Sequence, residues 1–189
     1  MSIIAVAPED AVTDRVAEFY AGDIREQGYV ASHTKVLTVN PEAFAAWKDL
    51  MRAIAGPMDK RRFELATLAA ALGTRSVHCR LAHGRKSLAY IDEDELERIA
   101  RDYHDAGLSE QEVAIMEFSE KVSRASDTMT DADSERLREL GLSDREIVDV
   151  ALAAAARNYY SRAIQALAIP VDDFPELSDS LKDALLAPL

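Results

Sequence analysis

Apolar side chains recur every three or four positions along most of the chain, which is the spacing of one face of an α-helix. The clearest early stripes cover positions 12–24 and 44–54, and Gly28 and Gly56-Pro57 follow them as helix-ending residues. No segment alternates apolar and polar residues in the manner of a half-buried strand. The pattern therefore predicts an all-α protein.

The predicted helices have recognisable first residues. Asn40 is an N-cap followed by proline, and Ser109 and Ser143 each stand three positions before a glutamate, which is the pattern of a capping box. The acidic run 92–95 suits another helix start, where the helix dipole favours negative charge.

The C-terminal third contains a long helix and a short one. The long helix is predicted over about 144–168, and its alanine-rich segment 151–156 allows close packing, so we expect it at the centre of the fold. A last amphipathic helix is predicted at 178–186, where it packs either on its own subunit or on a neighbour. With 189 residues and a hydrophobic fraction of 48%, the chain is predicted to be one domain, 1–189, with a helical extension from about 176.

The net charge and the single cysteine limit the function classes. A net charge of −12 without a basic stripe repels phosphate, so we expect neither nucleic acid nor a membrane surface as a partner. The first ten residues carry no lysine or arginine and no long apolar run, so we expect no signal peptide. Cys79, as the only cysteine, cannot form an intramolecular disulfide, and a cytoplasmic location is predicted.

The residues around Cys79 carry the candidate chemistry. Cys79 stands three positions after Ser76, a plausible N-cap, so its sulfur is predicted in the first turn of a helix, where a thiolate is favoured. His83 is one turn further on the same face, and His78 is adjacent. Such a thiolate attacks soft electrophiles, above all the peroxide O–O bond. A lone cysteine is also often a small buried apolar residue, and Glu64 fits a simple ion pair as well.

The spacing of these residues resembles a known signature. The chain has Glu64, then eleven residues, then Ser76-Val77-His78-Cys79, then three residues and His83. This spacing is similar to the active-site pattern of the AhpD-like superfamily, which includes alkylhydroperoxidases and carboxymuconolactone decarboxylases. That pattern is a glutamate, eleven residues, Cys-x-x-Cys, three residues and a histidine. The segments 64–71 and 81–84 also resemble that superfamily. The N-terminal block with Gly28-Tyr29-Val30, Pro41-Glu42 and Trp47 resembles its subgroup of peroxidase-related enzymes.

The resemblance implies an AhpD-like helical bundle and a set of roles. Cys79 would be the peroxidatic thiol, His83 and Glu64 proton-relay groups, and His78 an additional proton carrier. Ser76 stands where the family has its resolving cysteine, so that role has no occupant. The resemblance further implies a homo-oligomer, a hydroperoxide substrate and an external reductant, either a small thiol or a thioredoxin- or lipoyl-type partner.

Three interpretations follow from the missing cysteine. The preferred one is a peroxidase whose single cysteine is recycled by an external thiol. The alternatives are a carboxymuconolactone-decarboxylase-like enzyme that uses Glu64 and His83 for acid–base chemistry, and a silent member in which Cys79 senses oxidation or merely packs. A metal site built from Glu64, Cys79 and His83 ranks well below the thiol interpretation, because no fourth ligand stands at a recognisable spacing. We therefore expect neither a metal nor an organic cofactor.

Overall fold

The computed structural model describes residues 3–189, and all regular structure within that range is helical. The ten α-helices are α1 (Asp14–Gln27), α2 (Ser32–Leu37), α3 (Pro41–Ala55), α4 (Lys60–Gly73), α5 (Val77–Ser87), α6 (Glu93–Arg101), α7 (Glu110–Ala125), α8 (Asp131–Glu139), α9 (Asp144–Ala166) and α10 (Asp179–Leu186). Short 3₁₀ turns occupy Glu9–Ala11, Tyr103–Asp105 and Ser126–Thr128. The predicted all-α class is confirmed.

The predicted caps form as expected. The side chains of Asn40 and Ser76 accept hydrogen bonds from backbone amides of the helices that they precede, and Ser109 and Ser143 form complete capping boxes. Two helices were not predicted. α2 has only six residues and no side-chain cap, and α8 has a single buried residue, Leu137, so neither has an apolar stripe long enough to recognise.

The enclosed helix of the fold is α4 rather than α9. Every side chain of α4 from position 63 to 71 is buried. α9 packs against α3, α4 and α7, but Val148 and Leu152 on its other face remain exposed. The expectation that α9 lies at the centre therefore holds for only one of its faces. Alanines and charged residues are distributed all round this helix, so its sequence does not mark which face is buried.

α4 and α7 approach each other closely at Gly73. A Cβ added at Gly73 would lie 2.7 Å from the carbonyl oxygen of Glu120 and 2.7 Å from the Cβ of Ser123. Separations this short are repulsive for any residue other than glycine. The two backbones therefore approach each other at a point that requires glycine at position 73.

The C-terminal helix packs on its own chain. Leu181 and Leu185 of α10 are fully buried against α5 and α6. Arg80 of α5 lies beneath this contact and donates hydrogen bonds to the carbonyl oxygens of Leu185 (2.9 Å) and Ala100 (2.8 Å). Both carbonyls lie at helix C-terminal ends, where the helix dipole favours a cation. Burial nevertheless lowers the pKa of Arg80 to about 10.

The alanine-rich segment of α9 is not a membrane span. Within residues 3–189, no helix combines the length and the apolarity needed to cross a bilayer.

Candidate active site

The corner between α4 and α5 positions the cysteine. Arg75 adopts a left-handed conformation with φ of 54°, which turns the chain sharply out of α4. The side-chain amide of Gln165 on α9 donates to the carbonyl oxygens of Thr74 (3.0 Å) and Arg75 (3.1 Å). Ser76 Oγ then accepts from the backbone amide of Cys79 at 3.4 Å, which places the sulfur in the first turn of α5 as predicted.

The sulfur of Cys79 contacts two side chains of α9. Cys79 is only 1% exposed, and Ser161 Oγ donates a hydrogen bond to its Sγ at 3.2 Å. Nη1 of Arg157 lies 3.8 Å from the same sulfur. A hydroxyl donor and a guanidinium are both groups that can stabilise negative charge, and both contact the sulfur directly.

Arg157 is a buried cation without a carboxylate partner. Its side chain is 6% exposed, and no carboxylate within residues 3–189 comes within ion-pair distance of it. Its Nε has no hydrogen-bond partner among the described residues, and the guanidinium lies 5.7 Å from the centre of the Tyr160 ring. Buried charges are normally paired, so Arg157 is free to interact with a thiolate or an anionic ligand.

Glu64 and His83 form a buried pair. His83 Nδ1 lies 2.7 Å from Glu64 Oε2. Burial, together with the charge of Arg157, lowers the pKa of His83 to about 3, against the opposing effect of Glu64. Burial alone would raise the pKa of Glu64, but His83 and nearby cations reverse this and lower it. At neutral pH the carboxylate is therefore ionised and accepts the Nδ1 hydrogen of a neutral imidazole, which leaves Nε2 as a proton acceptor.

His78 lies against a different set of residues. Its ring is edge-on to that of His33 at 4.8 Å between centroids and lies 6.3 Å from Phe174. Burial lowers the pKa of His78 to about 4, and burial followed by the charge of His78 lowers the pKa of His33 well below its usual value. Nδ1 of each histidine is buried without a hydrogen-bond partner in the part of the chain that the structure describes.

These groups line one cavity of about 360 Å³. Glu64, His78, Cys79 and His83 all contribute to its wall, so the structure brings four of the five predicted site residues together. The fifth, Ser76, caps α5 behind them. The remaining lining includes an aromatic group and a set of charged side chains: Phe44, Trp47, Phe63 and Tyr160, and Asp23, Lys48, Arg85, Lys86 and Asp172. A cavity of this volume accommodates a small molecule.

Sequence reasoning missed part of this wall. The polar and aromatic segment 157–162 suits a pocket wall, a subunit contact or ordinary helix surface, but the sequence assigns neither Arg157 nor Ser161 to the site. The signal that was available is their i, i+4 spacing on one face of α9. His33 and Asp172 belong to no recognisable motif, and only the fold brings them near Cys79.

Solved structures share this arrangement of helices. An uncharacterized peroxidase-related protein from Ralstonia eutropha JMP134, described as an alkylhydroperoxidase AhpD core, superposes with a TM-score of 0.81 at 24% identity, over 91% of this chain and 93% of that one. A peroxidase-related protein from Silicibacter sp. TM1040 gives 0.76 at 23% identity, over 90% and 92%.

The structure of a debrominase has the same arrangement of helices. The debrominase Bmp8, as a cysteine-to-alanine variant in complex with 2,3,4-tribromopyrrole, gives a TM-score of 0.79 at 12% identity over 100% of both chains. No protein-family model and no curated protein matches the sequence. On the strength of these superpositions, the chain has the AhpD-like helical fold.

Proposed function

We propose that the protein is a thiol-dependent peroxidase that reduces small hydroperoxides at Cys79. The observation that supports this most is the position of the Cys79 sulfur, between the Ser161 hydroxyl and the unpaired Arg157 guanidinium, in the cavity that also contains the Glu64–His83 pair. Packing a cysteine requires none of these neighbours. Activating one requires a positive charge, a hydrogen-bond donor and a base.

The reaction begins with proton transfer. The thiol of Cys79 loses its proton to the Glu64–His83 pair, in which the carboxylate offsets the positive charge that the proton brings, and Arg157 stabilises the thiolate. The thiolate attacks the distal oxygen of the hydroperoxide, so the S–O bond forms as the O–O bond breaks. The leaving alkoxide takes a proton from His83, and the products are an alcohol and the sulfenic acid of Cys79.

Reduction of the sulfenic acid needs an external thiol, because the chain has one cysteine. A first thiol condenses with the sulfenic acid, releasing water and forming a mixed disulfide. A second thiol attacks that mixed disulfide. This regenerates Cys79 and releases the two external thiol groups joined as a disulfide. The reductant is a small thiol or a protein dithiol.

The aromatic lining favours a second candidate, reductive removal of bromide from a small brominated aromatic ring. Trp47 and Tyr160 stack at 4.8 Å between centroids at the cavity wall, a surface on which a flat ring can pack. In this reaction the thiolate attacks bromine, the ring carbon takes a proton from His83, and a sulfenyl bromide forms. External thiol then displaces bromide, and a second thiol restores Cys79, as in the peroxidase cycle.

One experiment separates the candidates. The reduced protein is mixed with one equivalent of cumene hydroperoxide or of tribromopyrrole, without and with excess dithiothreitol, and intact mass and product are measured. The peroxidase predicts a gain of one oxygen on Cys79 and cumyl alcohol, both absent in Cys79→Ser. Debromination without peroxide reduction selects the second candidate. If Cys79→Ser consumes hydroperoxide and debrominates tribromopyrrole as fast as the unaltered protein, both thiol mechanisms are wrong, and the alternative with acid–base chemistry at Glu64 and His83 is preferred.

A further inference from the structure

We propose that His33, His78 and Asp172 form a binding site for a divalent transition-metal ion at the wall of the cavity. The proposal is independent of the peroxidase mechanism, which uses none of these three side chains. Within residues 3–189, this is the one group of three or more histidine, cysteine or acidic residues whose ligand atoms are close enough to hold an ion.

Three separate elements supply the ligands. His33 lies on α2, His78 on α5, and Asp172 in the connector between α9 and α10. One ligand atom from each residue lies within 4.8 Å of the other two. Bonds of the usual length to zinc place tetrahedral ligands about 3.4 Å apart. Closing the site therefore requires side-chain shifts of about an ångström.

The two histidines lack the partners that buried imidazoles normally have. Nδ1 of His33 and Nδ1 of His78 are each buried and accept or donate no hydrogen bond among the described residues. Buried polar atoms nearly always form a hydrogen bond. A buried nitrogen without one indicates that an ion or a water molecule binds there. Two histidines with an unpartnered ring nitrogen each, their rings edge-on and a carboxylate close by, offer the donor types of a transition-metal site.

Asp172 is held in place by the residue next to His33. The backbone amide of Ser32 lies 3.2 and 3.1 Å from its two carboxylate oxygens, and the hydroxyl of Ser32 donates to Oδ1. An ionised carboxylate has about four acceptor positions, so these bonds leave capacity for an ion. Hydrogen bonds to a ligating carboxylate fix its orientation, which is the role we assign to Ser32.

Two imidazole nitrogens and one carboxylate oxygen select the kind of ion. This set suits zinc or ferrous iron and is too rich in nitrogen for magnesium or calcium. Three protein ligands leave at least one coordination position open, and all three residues line the cavity, so the open position faces a bound substrate. The positive charges of Arg157 and Lys86 act on both histidines and oppose cation binding. We therefore expect a micromolar rather than nanomolar dissociation constant.

Zinc binding to the protein is the test. The Cys79→Ser variant, in which the thiol cannot compete for zinc, is stripped of metal and dialysed against buffered Zn²⁺, and bound zinc is measured by elemental analysis. We expect one equivalent, and a loss of at least tenfold in affinity in His33→Gln and in His78→Gln on that background. His104→Gln is the matched control, because His104 lies on the surface with Asp102 and Glu117 and should not change the result.

A variant that lacks the other two histidines and the cysteine keeps the test decisive if His33→Gln or His78→Gln unfolds the protein. Cys79→Ser/His83→Gln/His104→Gln retains only His33 and His78 as histidines. It should still bind one equivalent of Zn²⁺. It should also bind one equivalent of Co²⁺, and the bound Co²⁺ should show the visible absorption bands of an ion with nitrogen and oxygen ligands. Ser32→Ala, which removes no ligand, should weaken binding severalfold.

Two results overturn the proposal. One is the absence of zinc binding below about 100 μM in Cys79→Ser, which would mean that the two histidines are bridged by water instead. The other is zinc binding that persists in folded His33→Gln and His78→Gln. Neither result bears on the peroxidase mechanism, because neither measures activity.

Discussion

The guanidinium of Arg157 and the sulfur of Cys79 lie 3.8 Å apart in the interior, although 78 positions separate them in the sequence. Arg157 forms no ion pair with a carboxylate within residues 3–189, and its guanidinium contacts the sulfur directly. Ser161, one turn further along α9, donates to the same atom. α9 thus supplies the surroundings that a reactive thiolate needs, whereas α5 supplies the thiol.

Replacing Arg157 should reduce the reactivity of Cys79. Two opposite charges at this separation attract by about 4 kcal/mol at an effective dielectric constant of 20. We expect iodoacetamide to label Cys79 at pH 7 at least about tenfold more slowly in Arg157→Met, which corresponds to about 1.4 kcal/mol. Arg157→Lys should lose less. Arg162→Met is the control, because Arg162 on the same helix bonds the carbonyl of Ser123 instead. Equal labelling rates in Arg157→Met and Arg162→Met would contradict the assigned role.

The Glu64–His83 pair should accelerate oxidation without being indispensable. His83→Gln removes the base, and Glu64→Gln removes the carboxylate that holds the imidazole hydrogen on Nδ1. Acid–base groups typically contribute about 10²–10⁴-fold, so both variants should form the sulfenic acid that much more slowly in stopped-flow measurements with cumene hydroperoxide. Glu97→Gln, on α6 outside the cavity, should react at the original rate. Unchanged oxidation in both cavity variants would exclude the pair as the proton relay.

Restoring a second cysteine should change the oxidation product. Ser76 Oγ lies 3.4 Å from the amide nitrogen of Cys79, and residues three apart at a helix start have Cα atoms about 5 Å apart, within the range that a disulfide allows. One equivalent of hydroperoxide should convert Ser76→Cys into an intramolecular disulfide with a loss of two mass units and of both free thiols. The unaltered protein should stop at the sulfenic acid. A folded variant that still oxidises Cys79 but forms no disulfide would show that position 76 is not the resolving position.

Acid should destabilise the protein through His83. Its pKa is about 3 in the folded state and about 6.5 when unfolded, so the unfolded state binds the extra proton between these values. The stabilisation is complete above pH 6.5 and is lost as the pH falls, by about 2 kcal/mol between pH 7 and pH 5 from this group alone. Urea unfolding at the two pH values should show a smaller loss in His83→Gln. A loss in that variant as large as in the unaltered protein would contradict the prediction.

Alanine at position 73 should destabilise the fold. Its Cβ would meet the backbone oxygen of Glu120, which cannot move without displacing α7. Overpacking of this kind costs about 1–3 kcal/mol, more than the helix propensity that alanine gains over glycine. Gly22→Ala is the control, because position 22 on α1 has only the tip of Arg25 within 4 Å. The free energies of unfolding should therefore fall for Gly73→Ala and remain the same or rise for Gly22→Ala.

Local sequence patterns were enough to predict the class of the fold and the local geometry around Cys79. Helix periodicity and capping depend on residues within about one turn of each other, so Ser76 as N-cap and the first-turn position of Cys79 could be read from adjacent letters. The Glu64 and His83 positions followed from the resemblance to a known spacing. The short helix α2 and the charged helix α8 could not be predicted, because neither carries enough apolar residues to define a face.

The residues that surround the thiol come together through long-range packing, which local patterns do not predict. Arg157 and Ser161 reach Cys79 because α9 packs against α4, the helix that precedes α5, and the choice of packing partner is not encoded in the spacing within any one helix. The same holds for His33 and Asp172, which come from a short helix and from a connector without regular structure. The docking of α10 also needed the fold, since an amphipathic helix buries its apolar face equally well on its own chain or on a neighbour, and buried Arg80 bonds this one to α5.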